Sequence, residues 1–178
     1  GEDLAFIQLS SGTTGSVKVI EATHKQLIEN CIEYGTSIGL NKESRIVSWL
    51  PLYHDMGLIT NVFLPMIFGC KLSLIPTFDW LQNPVDLFKI ISRDKGTHVW
   101  MPNFAFSYLH NKVSENDMAN VNLSSLNHLV SCSEPTFSDD ISKFENKFSK
   151  FGLKSSIISN CYALAENIFA VSQSNGIK

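Results

Sequence analysis

Short apolar or β-branched runs alternate along this chain with segments whose apolar residues recur at helical spacing, and that alternation narrows the possible folds more than any other feature. Runs at Leu4 to Leu9, Arg45 to Leu50, Lys71 to Ile75, Thr97 to Met101, His128 to Ser131 and Ser155 to Ser159 are each bounded by turn or capping residues and read as strands. Between them, Thr23 caps a segment with Leu27, Ile28, Cys31 and Ile32 on one face. Ile141, Phe144, Phe148 and Phe151 mark a second stripe, with Ser138 as its cap. Parallel strands need crossover connections and helices supply them, so the pattern predicts an α/β fold with a mostly parallel sheet flanked by helices. Ligands of such sheets sit beyond the strand C-termini. No repeat, linker or charge run divides the 178 residues, and a single unit over 1–178 is expected.

A hydrophobic content of 44% with 17% charged residues allows a substantial core and argues against disorder. The formal net charge of -3 gives no general attraction to nucleic acid or to an anionic membrane surface. Any phosphate ligand must therefore be held by local groups. Cys31, Cys70, Cys132 and Cys161 form no C-x-x-C pair, so neither a zinc knuckle nor a redox motif of that type is indicated, and a reduced, cytoplasmic setting is expected. The most apolar stretch, Leu58 to Ile67, is too short to span a bilayer, and no signal pattern opens the chain.

Ser10, Ser11, Gly12, Thr13, Thr14, Gly15, Ser16, Val17 and Lys18 follow the first strand and pack hydroxyls, glycines and one lysine into a short turn. Glycines let successive backbone N–H groups point at one anion, hydroxyls donate further bonds, and Lys18 adds a point charge. The spacing is not that of a Walker A loop, because Gly12 and Gly15 stand too close together. A plain hairpin turn joining two strands is the competing reading. This loop resembles the phosphate-binding signature of adenylate-forming enzymes, the acyl-CoA and acyl-AMP synthetase superfamily, and His24 after Thr23 matches that superfamily's T-H pair.

Further segments carry the same resemblance. Trp49 to Leu58, containing Tyr53, His54 and Asp55, is similar to a stretch typical of fatty acyl-AMP ligases. That likeness places His54 beside the acyl carboxylate and the adenylate, as a donor that orients the attacking oxygen. A turn in which His54 or Asp55 caps the next helix is the alternative. A hydrolase triad is set aside for want of a G-x-S-x-G elbow. Pro102, Asn103 and Phe104 resemble the P-N-F-A stretch that lines the acyl tunnel. Ser133, Glu134 and Pro135, after Ser131 and Cys132, look like the G-A-E-P segment on the adenine and ribose side. Asn160, Cys161, Tyr162, Ala163 and Glu166 resemble the Y-G-x-A-E motif, which implies Tyr162 stacked on adenine and Glu166 bound to Mg²⁺ through water.

These five segments occur in the ligase order, each beside an expected strand. The resemblance implies a fragment of the N-terminal domain of a fatty acyl-AMP ligase, with ATP and Mg²⁺ as cofactors. It further implies a fatty acid as substrate and a carrier-protein phosphopantetheine or coenzyme A as acceptor. It also implies that the C-terminal domain and its lysine lie outside these residues, so that this piece alone turns over little. The rival from another class is a non-catalytic nucleotide- or acyl-binding module, favoured by Val17, Val19 and Ala163 where the family carries proline or glycine.

Overall fold

The computed structural model describes residues 1–11, 17–154 and 157–174. β1 (Leu4–Ser11) and β2 (Val17–Thr23) pair antiparallel, with Ser10 opposite Lys18. Together they form a sheet of their own, so Leu4 to Leu9 does not join the parallel sheet as expected. β2 was expected only under the hairpin reading of the loop, because Lys18 and Glu21 dilute its apolar signal. Gly12 to Ser16, the tip of the expected phosphate loop, lie outside the described residues.

α1 (His24–Ser37) starts where expected. Thr23 Oγ1 accepts from Gln26 N at 3.2 Å, and Gln26 Oε1 accepts from Thr23 N at 3.0 Å, a reciprocal capping box. Its buried stripe is Leu27, Cys31, Tyr34 and Gly35, while Ile28 and Ile32 are exposed. The face is thus rotated from the expected one, because the stripe through Tyr34 also fits the helical period and lets the Tyr34 hydroxyl accept from Trp100 Nε1 at 2.7 Å.

The remaining chain runs β3 (Arg45–Ser48), α2 (Asp55–Leu58), a π-helical turn (Ile59–Phe63), α3 (Leu64–Phe68), β4 (Lys71–Leu74), α4 (Thr77–Gln82) and α5 (Val85–Asp94). It continues with β5 (His98–Met101), α6 (Asn103–Lys112), β6 (His128–Cys132), α7 (Ser138–Phe148), β7 (Ile158–Ala163) and β8 (Ala170–Gln173). Ser138 is the first helical residue of α7, and its side chain caps nothing. Ser155 and Ser156 lie outside the described residues, and the strand expected there begins at Ile158. β8 was not foreseen; its run, Ala-Val-Ser-Gln, holds too few large apolar residues to stand out.

The six strands of the main sheet lie in the order β4-β3-β5-β6-β7-β8, parallel except for β8. From β3 the chain moves outward to β4. It then jumps back over β3 to β5 and advances through β6 to β7. Because crossovers between parallel strands are right-handed, opposite directions of travel put their helices on opposite faces. Accordingly α2 and α3 share a layer with α1, whereas α5, α6 and α7 meet through Phe88, Phe106, Phe144 and Phe148. The direction reverses between β3 and β5, and such a switch point opens a crevice at the C-terminal edge of the sheet.

At the opposite edge, buried His98 stacks on His128 with ring centroids 4.9 Å apart. Its Nε2 lies 3.1 Å from Ile38 O and its Nδ1 lies 2.8 Å from Thr97 Oγ1. Burial is the main cause that lowers its pKa from 6.5 to about 4. Between those values the unfolded chain binds a proton that the folded chain does not. Stability therefore falls as pH drops through that window, by roughly 3 kcal/mol from this group. The expected result is that His98→Phe loses less stability than the parent chain between pH 6.5 and 4, read from urea midpoints.

Candidate functional site

The loops after β3, β5, β6 and β7 all leave the C-terminal edge of the sheet, and each carries one of the segments singled out in the sequence. Short polar bridges join them. After β3, the segment Trp49 to His54 is tied back by Asn61 Nδ2 donating to Leu50 O at 3.2 Å, and by Thr77 Oγ1 donating to Trp49 O at 2.8 Å. Gly57 of α2 lies so close to Pro51 O that a Cβ could not be accommodated there.

His54 and Asp55 start α2. Asp55 Oδ1 lies 2.6 Å from His54 Nδ1 and 2.6 Å from Met56 N. His54 Nδ1 is also 3.3 Å from Met56 N, but an Nδ1 proton directed at the carboxylate leaves that nitrogen no lone pair to accept with, so Asp55 takes the Met56 bond. The hydrogen bond that His54 donates to Asp55 raises the His54 pKa, against the opposing effect of burial. Burial works against ionisation of Asp55, yet its bonds to His54 and Met56 bring its pKa below the usual carboxylate value. The capping turn and the half-exposed histidine donor therefore coexist. Asp55 does the capping, and His54 Nε2 has no partner among the described residues.

After β5, Pro102 precedes α6. Asn103 is buried: its Oδ1 accepts from Phe137 N at 3.1 Å and its Nδ2 donates to Asp140 Oδ2 at 3.1 Å. Both ends of the amide are used in joining α6 to α7. Phe104 is 44% exposed and packs edge-on against Trp49 and Trp80, which stack face to face at 3.7 Å. The spacing that exposed Phe104 in the sequence did not reveal this tryptophan pair, since Trp49 and Trp80 lie on different connections.

After β6, Ser133 adopts φ +72°, a left-handed conformation uncommon for serine. Glu134 Oε2 accepts from Phe104 N at 3.0 Å, which caps α6 and links the β5 and β6 loops. Thr136 was missed in the sequence: its Oγ1 donates to Asn160 Oδ1 and accepts from Ser131 Oγ at 2.9 Å, tying β6 to β7. No spacing rule signals such a bridge.

At the end of β7, Tyr162 is 57% exposed and the preceding Cys161 is buried. Glu166 sits on a single 3-10 turn (Ala165–Asn167), followed by Ile168 with φ +68° and ψ -52° and by a Phe169 N to Asn167 O bond of 2.7 Å. This is a γ-turn, strained for a β-branched residue and held by burial of Ile168 and Phe169. Lys18, at the foot of the first loop, lies 3.9 Å from Glu166. Both side chains are about half exposed, so the pair contributes little stability. Its value is as a ruler: it brings the β1–β2 hairpin over the end of β7. Thr13, Thr14, Gly12 and Gly15 lie outside the described residues, as does any contact they make.

The model of the AMP-binding enzyme family matches residues 1–177, and the chain belongs to that family. Among curated relatives, the ligase Rv1013 of Mycobacterium tuberculosis is 34% identical over 174 residues, covering 96% of this chain and 32% of its own length. The medium-chain-fatty-acid acyl-carrier-protein ligase JamA of Moorena producens is 29% identical over 171 residues, covering 96% of this chain and 29% of its own. A crystal structure of a fatty acyl-adenylate ligase from L. pneumophila, in complex with acyl adenylate and pyrophosphate, superposes with a TM-score of 0.88 at 34% identity. It covers 93% of this chain and 29% of that one. The chain thus spans about a third of the length of the proteins it matches.

Gly57→Ala is expected to lower stability by about 1–3 kcal/mol, because its methyl group meets rigid backbone at Pro51. A denaturant midpoint unchanged from the parent chain would show that the His54 segment is not held by this close approach.

Proposed function

We propose that this chain supplies the nucleotide- and acyl-facing core of a ligase that activates a fatty acid with ATP, giving acyl-AMP and pyrophosphate. The acyl group then passes to the phosphopantetheine thiol of a carrier protein. The observation that carries this reading is the approach of Lys18 to Glu166, 148 positions away, beside exposed Tyr162. A phosphate-binding turn and an aromatic base platform then share one cleft, as a single nucleotide requires. The resemblance to the L. pneumophila ligase and to JamA supports a fatty acid as the acyl partner and a carrier protein as acceptor; coenzyme A is the alternative acceptor.

In this mechanism an oxygen of the fatty carboxylate attacks the α-phosphorus of ATP, a new C–O–P linkage forms, and the bond to pyrophosphate breaks. The hydroxyls and amides of Ser10, Ser11, Gly12, Thr13, Thr14 and Gly15, with Lys18, hold the polyphosphate. Tyr162 covers the adenine, with Ser133, Glu134, Pro135, Asn160 and Ala163 shaping its edge and Cys161 underneath. His54 donates from Nε2 to the carboxylate or the crowded phosphate oxygens. Since its Nδ1 proton is directed at Asp55, a donor at Nε2 is the imidazolium, which the raised pKa favours. Pro102 and Phe104 line the acyl path, where each buried methylene contributes about 0.8 kcal/mol.

Among the described residues no three acidic, histidine or cysteine side chains converge on a metal site. A lone, half-exposed carboxylate fits Mg²⁺ that arrives with its nucleotide, because this ion keeps most of its water and takes few protein ligands. Glu166 would hold it, and the ion would offset phosphate charge. The four cysteines are free, which fits the reduced, cytoplasmic setting expected from their spacing; no described helix is long and apolar enough to cross a membrane.

Two measurements test the reading. Calorimetric titration of the chain with a non-hydrolysable acyl-adenylate mimic is expected to show binding that Tyr162→Ala weakens about tenfold, in line with about 1–3 kcal/mol for base stacking. No binding at all would favour the non-catalytic module. Fatty-acid-dependent ATP–pyrophosphate exchange by the whole protein is expected to fall as pH rises through the raised His54 pKa. In Asp55→Asn that alkaline limb moves to lower pH; a limb that stays in place removes His54 from the donor role.

A further inference from the structure

Cys132 ends β6, and Cys161 stands directly beside it on β7, the two residues being Cα partners across parallel strands. Neighbouring strands run about 4.7–4.9 Å apart, inside the ~4.4–6.8 Å between Cα atoms that a disulfide spans. Registered residues on parallel neighbours send their side chains to the same face. Both thiols are free and buried, yet each lies one residue below an exposed rim position, Ser133 and Tyr162. A small oxidant therefore has only one residue's depth to cross from the cleft.

We propose that Cys132 and Cys161 form a peroxide-sensitive dithiol that closes to a disulfide beneath the candidate nucleotide site and thereby weakens adenylate binding. The neighbouring chemistry divides the labour. The Cys161 thiol, hydrogen-bonding to Cys132, is the main cause that lowers the Cys132 pKa despite its burial, with the Ser133 hydroxyl and N–H adding to it. The same bond raises Cys161, and burial raises Cys31 to about 12 and Cys70 as well. Cys132 is thus the nucleophile and Cys161 the resolving thiol.

Cys132 sulfur attacks one peroxide oxygen, the O–O bond breaks, and a sulfenic acid and one water result. Cys161 sulfur, giving up its proton, then attacks the sulfenyl sulfur. The S–S bond forms and the hydroxyl leaves as a second water, so that two thiols are oxidised by two electrons as peroxide is reduced. The new bond shortens the sulfur contact and displaces the ends of β6 and β7, which carry Ser133 and Tyr162. That coupling to adenylate rests on the function proposed above; disulfide formation does not.

Peptide mapping of the peroxide-treated chain under non-reducing conditions is expected to give one cross-linked species joining Cys132 and Cys161, lighter by two hydrogens and reversed by dithiothreitol. It should survive replacement of Cys31 and Cys70 by alanine and vanish in Cys132→Ser and in Cys161→Ser. Free thiols persisting at both positions, or a cross-link through Cys31 or Cys70, would overturn it. Affinity for the acyl-adenylate mimic is expected to fall at least tenfold on oxidation and to return on reduction; unchanged affinity overturns the coupling. A cross-link formed in a chain that binds the mimic in neither state would refute the ligase reading and leave the dithiol standing.

Discussion

The handedness of crossover connections is the constraint on which the rest of this structure depends. Because a right-handed crossover travelling toward β4 and one travelling toward β7 cannot share a face, the helices after β3 and after β5 diverge. Divergence leaves the loops carrying His54 and Phe104 on either side of a gap at the sheet's C-terminal edge. Every residue argued to meet substrate or nucleotide lies on that edge or on the hairpin above it. At the opposite edge the His98 and His128 rings stack on each other and His98 bonds to Ile38 and Thr97.

A crevice alone would not fix the positions of the loops around it. Polar bridges do that work: Asn103 to Phe137 and Asp140, Glu134 to Phe104, Thr136 to Asn160, Asn61 to Leu50. The first three join different connections or strands and the last braces the β3 to β4 connection from within; with Trp49 packed against Phe104, the loops are held as one frame. Within it, the Asp55 carboxylate has two tasks that reinforce each other, closing the first turn of α2 and keeping a proton on His54. Ser133 and Ile168 hold positive φ within the connections that follow β6 and β7.

The parallel core was legible because buried strands announce themselves as apolar runs, and Arg45 to Ser48, His98 to Met101 and His128 to Cys132 are such runs. The cap at Thr23 was legible for a similar reason, a threonine standing directly before a helical stripe; its reciprocal partner Gln26 was not named. β2, implied only by the competing hairpin reading, and β8 did not stand out as apolar runs, since one carries charges and the other is Ala-Val-Ser-Gln. The face of α1 was misjudged because two stripes fit one helical period, and only the partner across the sheet, Trp100, chooses between them. The candidate site was legible as separate segments; that Asn103 is enclosed and that Trp49 and Trp80 stack behind Phe104 was not.

What the sequence by itself determined was local: which stretches are strands and helices, where helices start, which side chains carry chemistry, and the family in whose order they fall. Those properties depend on residues a few positions apart, within reach of period and capping rules. Tertiary structure alone decided which of these residues meet. Lys18 beside Glu166, Cys132 beside Cys161 and Thr136 between Ser131 and Asn160 are contacts between distant segments, set by strand order and register, and no local rule encodes strand order.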